Sequence, residues 1–388
     1  MSEASKTRPL EGLRVLDFTR VLAGPYCTAL FADLGAIVVK AEPPQGDDYR
    51  HIGPFYADGS SALFEAVNRG KRGIVLDLGT ELDRARALEL AAGADVVVEN
   101  FRPGVAEKLG IGWEALSKVN SRLIYASISG FGQDGPNSAR PAYDIIVQAM
   151  SGLMAVTGDP SRPPTLIGES IADVVSGLFA SWAILAALVE RARTGRGRRI
   201  DVAMFDSMLA LQPLIVARYL ATGQAPMRVG NRHALSAPFG AFSARDGQFV
   251  LAVLNDKLFA ALAKLIGKAE LAEDVRFATD ARRISNEPAL KAYIESWSGP
   301  LTASDAVAQL IAGGVPAAEV MDTAQALASD QAGARPPLQD VAHTALGVLP
   351  TPEQPVRFVG APRGGSAPAP TLDEHGPAIV ADPALAWR

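Results

Sequence analysis

From residue 13 onward the chain alternates short Val/Ile-rich runs with stretches whose apolar residues recur every three or four positions. LRVLDF, AIVVKAE, GIVLDL, DVVVEN, LIYASIS and RIDVAM have the length and β-branched content of strands. Between them, PYCTALFADLG, ELDRARALELAAGA and GVAEKLGI carry helical spacing. Repeated strand–helix–strand order predicts an α/β fold: a mostly parallel sheet with helices on both faces and a ligand site beyond the carboxyl ends of its strands. SGLFASWAILAALVERARTG, 176–195, reads as one long and largely buried helix that glycine stops after a basic last turn.

The pattern changes near residue 222. QAPMRVGNRHALSAPFG leads into a hairpin, GAFSARDGQFVLAV, with Asp246 and Gly247 at its turn. Helices follow, among them DKLFAALAKLIG and SDAVAQLIAGG, the second capped by Ser304. The division expected is a large domain over 1–222, a smaller α+β domain over 223–327, and a segment over 328–388 that returns to the large domain. Its stretch PTPEQPVRFVGAPRGGSAPAP is too rich in proline and glycine to build a core alone.

With 388 residues, 48% apolar and 20% charged, the chain is long enough for two or three compact domains. A net charge of -5 argues against general nucleic-acid binding, so an anionic ligand needs a local basic cluster. The opening MSEASKTRPLEG has no apolar stretch, and the longest apolar run, 177–189, falls short of the ~20 residues a bilayer requires. A cytoplasmic protein without a membrane partner is expected. Cys27, the single cysteine, excludes an intrachain disulfide and reads as a small core residue. His51, His233, His343 and His375 are scattered without ligand spacing, so no metal is expected.

Gly130, Gly132 and Gly135 have the G-x-G-x-x-G spacing of a dinucleotide loop. That motif must open a helix, whereas Pro136 and Pro141 follow, so this segment reads as a connector. Cations recur where strands end: Arg20, Lys71, Arg72, Arg102 and the later Lys108, with Asn100 and Gly104 letting backbone come close. Converging on an anion is one reading, and ordinary surface charge is the other. Asp173, in GESIADVVSG, stands at a helix entrance with Gly168 and Gly177 on either side. It is either a first-turn anion complementing the helix dipole or a nucleophile for a thioester carbonyl. Glu169, one turn earlier, either raises its pKa by like charge or faces water.

Taken in order, PLEGLRVLDFTRVLAGPYCTALFADLGAIVVKAEPP, NRGKRGIVLDL, ADVVVENFRPGVAEKLGI, RLIYASISGFGQDGP, YDIIVQAMSGL and TGRGRRIDVAMFD resemble the class III coenzyme A transferase family. That family includes formyl-CoA transferase, succinyl-CoA:dicarboxylate CoA-transferases, bile-acid CoA-transferases and alpha-methylacyl-CoA racemase. The likeness runs from Pro9 to Phe205 and continues more weakly through APFGAFSARDGQFVLAV and GVPAAEVMD. It implies a Rossmann-like large domain, an interlocked homodimer, and Asp173 as the nucleophile with Tyr143 and Asp144 beside it. Arg20, Leu22, Ala23, Asn68, Lys71, Arg72, Asn100, Phe101, Arg102, Lys108 and Arg140 fall on its CoA-binding segments. Coenzyme A is then a substrate, and no resident cofactor is called for.

The implied reaction moves CoA from an acyl-CoA, with succinyl-CoA first among donors, to a small dicarboxylate such as malate, itaconate, glutarate or citramalate. Aspartyl anhydride and aspartyl-CoA thioester are its intermediates. The family's racemase branch has histidine where Tyr143 stands, and a phenol is a poor base near neutral pH. Racemisation is therefore the second reading. Formyl-CoA transferase carries four glycines in its small domain that RVGNRHALSAPFG lacks. GNRHALSAPFGAF is closer to the dicarboxylate enzymes, with Arg232 or His233 placed to meet a remote acceptor carboxylate.

Overall fold

The computed structural model describes residues 7–363 and 367–388; the opening MSEASK and Gly364, Gly365 and Ser366 of the proline-rich stretch lie outside the described residues. Six strands, β1 (Arg14–Asp17), β2 (Ile37–Glu42), β3 (Lys71–Val75), β4 (Val96–Glu99), β5 (Ile124–Ser129) and β6 (Arg198–Ala203), form one sheet. Their order is β3-β2-β1-β4-β5-β6, every pair parallel. Adjacent residues of a strand face opposite sides, so the Val/Ile runs supply two cores at once. Leu16, Val39 and Val97 pack with the helix Glu81–Gly93 on one face. On the other, Val15, Val38 and Val96 pack with the helices Ala23–Asp33 and Ile171–Thr194. A fully buried side chain such as Ile184 stabilises by about 2 kcal/mol.

The strand order reverses between β1 and β4, which opens the crevice where open α/β sheets bind ligands. β3 lies two residues earlier than GIVLDL suggests. The ladder starts at Lys71 opposite Val38 and ends at Val75 opposite Glu42, after which the chain departs.

The long helix runs Ile171–Thr194, five residues further toward the N-terminus than its apolar run, and Gly195 ends it at φ 70°. Its 24 residues span about 36 Å, so the expectation that no segment has membrane-spanning length is corrected. Its most apolar window has mean hydropathy 1.9 and is only 39% buried, so "largely buried" is corrected too. One side packs on the helix Ala23–Asp33 and β5, while Leu178, Trp182 and Val189 are exposed.

Contacts divide the chain into two compact units. The first comprises the chain to Leu153, Leu166–Ala225 and Pro336–Arg388. It includes the C-terminal segment, which contains a hairpin of β10 (Leu338–His343) and β11 (Gly347–Pro352) that its composition does not announce. Past the hairpin the tail covers the β3 edge: His375 N–H donates to Gly73 O at 3.0 Å, and Val75 N–H donates to Asp373 Oδ1 at 2.8 Å. An open edge is thereby closed.

The second unit comprises Met154–Thr165 and Pro226–Arg335, so residues 154–165 fall outside the large unit. Its sheet joins β7 (Phe239–Ser243), β8 (Gln248–Ala252) and β9 (Ala317–Glu319), all antiparallel. Phe242, Phe249, Phe259 and Phe277 fill the core beneath its helices. The helix Ala303–Ala312 is capped by Thr302, whose hydroxyl accepts from Asp305 N–H, and not by Ser304. Thr302 is the extended residue before the first turn, which is where a hydroxyl reaches the free amides.

Candidate active site

At the β1/β4 crevice the Asn100 side chain clips the Arg20 backbone from both sides. Its Oδ1 accepts from Arg20 N–H at 2.9 Å and its Nδ2 donates to Arg20 O at 2.8 Å. Val21 adopts φ 68°, rare for a β-branched residue, and donates its N–H to Asp47 Oδ1 at 3.0 Å. That pinned turn delivers Leu22 and Ala23 to the start of the helix Ala23–Asp33, which no side chain caps. Its first amides are free to meet an anion or a developing oxyanion.

A buried ionic network holds this turn from below. Asp17 accepts from Thr19 Oγ1 at 2.5 Å, Thr28 Oγ1 at 2.6 Å and Lys71 Nζ at 2.9 Å. Burial opposes its ionisation, but Lys71, Lys40 and the hydroxyls outweigh burial and bring Asp17 to about 2. Lys71 also donates to Pro25 O at 3.0 Å and Asn68 Oδ1 at 2.9 Å, which occupies all three of its N–H groups. Burial pulls Lys71 down to about 8 although Asp17 opposes this. Lys40 Nζ bonds Thr19 O and Asp47 Oδ2, both at 2.8 Å, and so closes the circuit. Cys27, packed beside Asp17, is buried; burial first and the Asp17 charge second raise its thiol far above neutral pH.

A cleft of about 850 Å³ opens above the network. Arg20, Leu22, Ala23, Asn100, Phe101, Arg102, Arg140, Tyr143 and Asp173 all line it. The other expected ligands do not. Asn68 and Lys71 are buried in the network, 0% and 2% exposed, so they support the turn and do not present donors to a ligand. Arg72 is spent on the C-terminus, donating to Leu385 O at 2.7 Å and also to Arg388 O. Lys108 stands exposed on the helix Val105–Lys108, away from the lining. A neighbouring cavity of about 750 Å³, lined by Phe18, Leu76 and Leu109 but also by Glu42, Asp47 and Asp77, shares Arg20, Asp48 and Phe101 with the cleft.

Asp173 sits in the first turn of the helix Ile171–Thr194. Ser170, the cap residue, makes no side-chain bond. Asp144 caps the helix from outside instead, its Oδ1 accepting from Ala172 N–H at 2.7 Å. Its Oδ2 accepts from Gln148 Nε2 at 2.6 Å. Asp144 thus lies behind the cleft wall with both oxygens engaged. Asp173 is half-buried, and among the described residues no donor engages its carboxylate. Burial first, and the Asp144 charge second, push it from 3.8 up to about 7.

Helix approach decides where this carboxylate stands. A Cβ on Gly177 would lie 2.6 Å from Ala23 O, so only glycine lets the two helices come this close. Tyr143, 71% exposed, precedes the helix Asp144–Met150. The connector 130–143 contains no helix, and Gly132 and Gly135 turn at φ 86° and 85°. Glu169 is exposed, its Oε1 accepting from Ser170 N–H at 2.7 Å. Arg232 and His233 belong to the second unit, where they line a depression over its sheet and the His233 ring stacks on Phe239 at 4.9 Å.

Three polar groups with perturbed or buried side chains were not singled out by the sequence reading. Tyr49, on the turn Asp48–His51, is pushed up to about 12 by burial, then by the charges of Asp173, Asp47, Glu169 and Asp144. Nothing in GDDYRH signals that. Gln148, fully buried, had one signal: an amide on the inward face of an apolar helix. Glu99 is buried at the end of β4, where its Oε2 accepts from Phe101 N–H at 2.9 Å; burial brings it to about 7 despite Ser127 and that amide. Its signal was a carboxylate closing an apolar strand. Among the described residues no three His, Cys, Asp or Glu side chains are grouped to hold a metal.

A bare carboxylate, unbonded amides at a helix start and flanking arginines suit attack on an activated acyl group. The profile of CoA-transferase family III matches residues 10–376. The acetyl-CoA:oxalate CoA-transferase of Acetobacter aceti is 46% identical over 96% of this chain and 95% of that protein. The succinyl-CoA:mesaconate CoA-transferase of Haloarcula hispanica is 40% identical, covering 94% of each. A CAIB/BAIF family protein from Brucella suis has the same fold, with TM-score 0.88 and 42% identity over 97% of this chain and 99% of that one. The chain therefore belongs to CoA-transferase family III and is an enzyme of the class III CoA-transferase kind.

Proposed function

We propose that the protein moves coenzyme A from a small acyl-CoA, succinyl-CoA first, to a small dicarboxylic acid, with Asp173 as the covalent nucleophile. An Asp173 oxygen attacks the thioester carbon, the C–S bond breaks, and an aspartyl–acyl anhydride and CoA thiolate result. Thiolate attack at the aspartyl carbon then releases the donor's acid and leaves an aspartyl-CoA thioester. The acceptor carboxylate attacks the aspartyl carbon of that thioester and expels CoA thiolate, giving an aspartyl–acceptor anhydride, and the thiolate then attacks the acceptor's acyl carbon, forming its CoA thioester and freeing Asp173. Every bond broken is matched by one formed, so the energy of the thioester is conserved through the cycle.

The observation that carries this reading is the Asp173 carboxylate itself: undonated, facing the cleft, and about 7 when its ordinary value is 3.8. A carboxylate of higher pKa is a better nucleophile, provided enough of it is ionised. The free amides of Ala23 and Gly24 are candidates to steady the tetrahedral oxyanion, Gly24 being small enough to pass Thr19. Arg20, Arg102 and Arg140 of the cleft suit the phosphates.

Relatives named for oxalate, mesaconate and glutarate point to a small dicarboxylate acceptor, with oxalate among the candidates although RVGNRHALSAPFG lacks the run of four glycines. Racemisation has less support: Tyr143 replaces the histidine base, and both Asp144 oxygens are already engaged. Acyl-CoA chemistry suits the cytoplasm, a location that cell fractionation checks.

The exposed apolar face of the long helix, with Leu214 and Leu220 of the helix Pro213–Thr222, supports a homodimer, interlocked as the family resemblance implies. Sedimentation at micromolar concentration that finds only monomer rejects it. For the chemistry, hydroxylamine added during turnover with succinyl-CoA and oxalate should convert Asp173 to a hydroxamate found by peptide mass mapping. Asp173→Ala should abolish both label and product. A label elsewhere, or an active alanine variant, ends the proposal.

A further inference from the structure

Gln148 lies on the inward face of the helix Asp144–Met150, with no accessible surface and outside the cleft lining. Its amide is bonded at both ends. Nε2 donates to Asp144 Oδ2 at 2.6 Å and, more weakly, to Glu169 O at 3.4 Å. Oε1 accepts from Ile167 N–H at 2.9 Å. Asp144 in turn bonds Ala172 N–H. Gln148 thus ties down two points of the segment Ile167–Ala172 directly and a third through Asp144, and that segment leads directly to Asp173.

Packing alone does not call for this arrangement. A leucine would fill a similar volume on an apolar face and bury no polar atoms, whereas a buried amide is costly unless every group on it is paired. Here the pairing is complete, and its target is the carboxylate that caps the Asp173 helix. The Gln148–Asp144 bond also fixes which way the Asp144 charge points.

We infer that Gln148 is a positioning residue of the transfer reaction: it locks Asp144 so that Asp144 caps the Asp173 helix and keeps its negative charge beside Asp173. The inference rests on the reading of Asp173 as nucleophile. Other charged or titratable groups around the pair are Glu169 from the approach to the helix, Tyr49 and Asp48 from the turn Asp48–His51, Tyr143, and the cations Arg20, Arg102 and Arg140 of the cleft. None of these bonds Asp144. Gln148 alone among them sets both the orientation and the anchoring of that charge.

Two replacements act in opposite senses. Gln148→Leu deletes the donor that steadies the Asp144 anion, so the repulsion felt by Asp173 weakens. Gln148→Glu substitutes a third carboxylate and strengthens it. The acid limb of the kcat/KM–pH profile should move to lower pH for leucine and to higher pH for glutamate. In both, kcat should fall about 100-fold, the cost of a nucleophile misplaced by about 1 Å. KM for acyl-CoA should stay within about threefold, because Gln148 does not reach the cleft. Gln148→Asn, whose shorter amide stops short of Asp144, replaces the leucine variant if that one does not fold, and should shift the same way.

A purely structural glutamine would lower the melting temperature and leave the acid limb in place. Unmoved limbs, limbs moving in the same direction, or a loss confined to KM overturn the inference. Hydroxylamine trapping on the wild-type enzyme separates the two claims. Label at Asp173 with unresponsive Gln148 variants defeats only the positioning role, and no label at Asp173 defeats the function on which it rests.

Discussion

Asp173, the proposed nucleophile, is distinguished by what is withheld from it. It is half-buried, among the described residues no donor engages it, and the charge that raises its pKa is that of another anion, Asp144. On the proposed mechanism the anion is the attacking form, so turnover should fall as pH drops through about 7. Asp144→Asn removes the like charge, so the acid limb should move down by about one unit, accompanied by some loss of kcat as the cap weakens. A limb that stays near 7 would assign the shift to burial alone.

The same environment costs stability. The folded value lies above the ordinary 3.8, so the neutral form's advantage is complete below about 4 and is lost as pH rises through about 7. Asp173→Asn should therefore melt roughly 2 °C or more above wild type at pH 8 and show no advantage at pH 4, as scanning calorimetry can check. Sequence could flag Asp173 as an acid at a helix entrance, but not its lack of partners. The cations were harder still. Arg20 and Arg102 look no different in sequence from Lys71 and Arg72, yet one pair lines the cleft while the other is spent on a buried network and the C-terminus. Only the three-dimensional count of donors and acceptors separates them.

Elements were more legible than residues, because strand and helix periods are properties of the pattern and survive small errors of boundary. The six Val/Ile runs are the six parallel strands, and β3 slipped by two residues because ladder pairing, not hydrophobicity, sets where a strand begins. The helix Ile171–Thr194 was read five residues short, since Ile171–Val175 includes the charged Asp173 and so breaks the apolar run. A polar residue at a site is where pattern reading is expected to fail.

Gly177 is the position at which this helix depends on one residue. A Cβ there meets Ala23 O at 2.6 Å and the Tyr26 ring at 3.2 Å, and a backbone carbonyl in the first turn of another helix cannot move aside. Gly177→Val should force the helices apart at a cost of about 1–3 kcal/mol. It should also carry Asp173 away from Leu22 and Ala23, so kcat should drop far more than the thermal midpoint. Gly223, at the end of the helix Pro213–Thr222 with nothing within 4 Å, is the control: Gly223→Asn should leave both nearly unchanged.

At the scale of the whole molecule, net charge and cysteine count bounded the class of protein, but the routing of the chain was hidden. Residues 154–165 leave the first unit before the Asp173 helix begins, and the C-terminal tail returns to close the β3 edge. Such long-range pairings leave no local period in the sequence. The exposed apolar stripe is the remaining whole-molecule feature. Leu178, Trp182 and Val189 are 44%, 67% and 64% exposed on a helix hydrophobic enough to resemble a membrane span. A monomer in water gains nothing from such a face, and patches of this kind mark interfaces. Trp182 is the largest of the three and the best placed to act as an anchor. If the proposed homodimer joins through this face, Trp182→Glu, which puts a charge in the stripe without touching the cleft, should shift sedimentation from dimer toward monomer by at least about tenfold in dissociation constant. If the glutamate variant remains a soluble dimer with wild-type affinity, this face is not the one that joins the subunits.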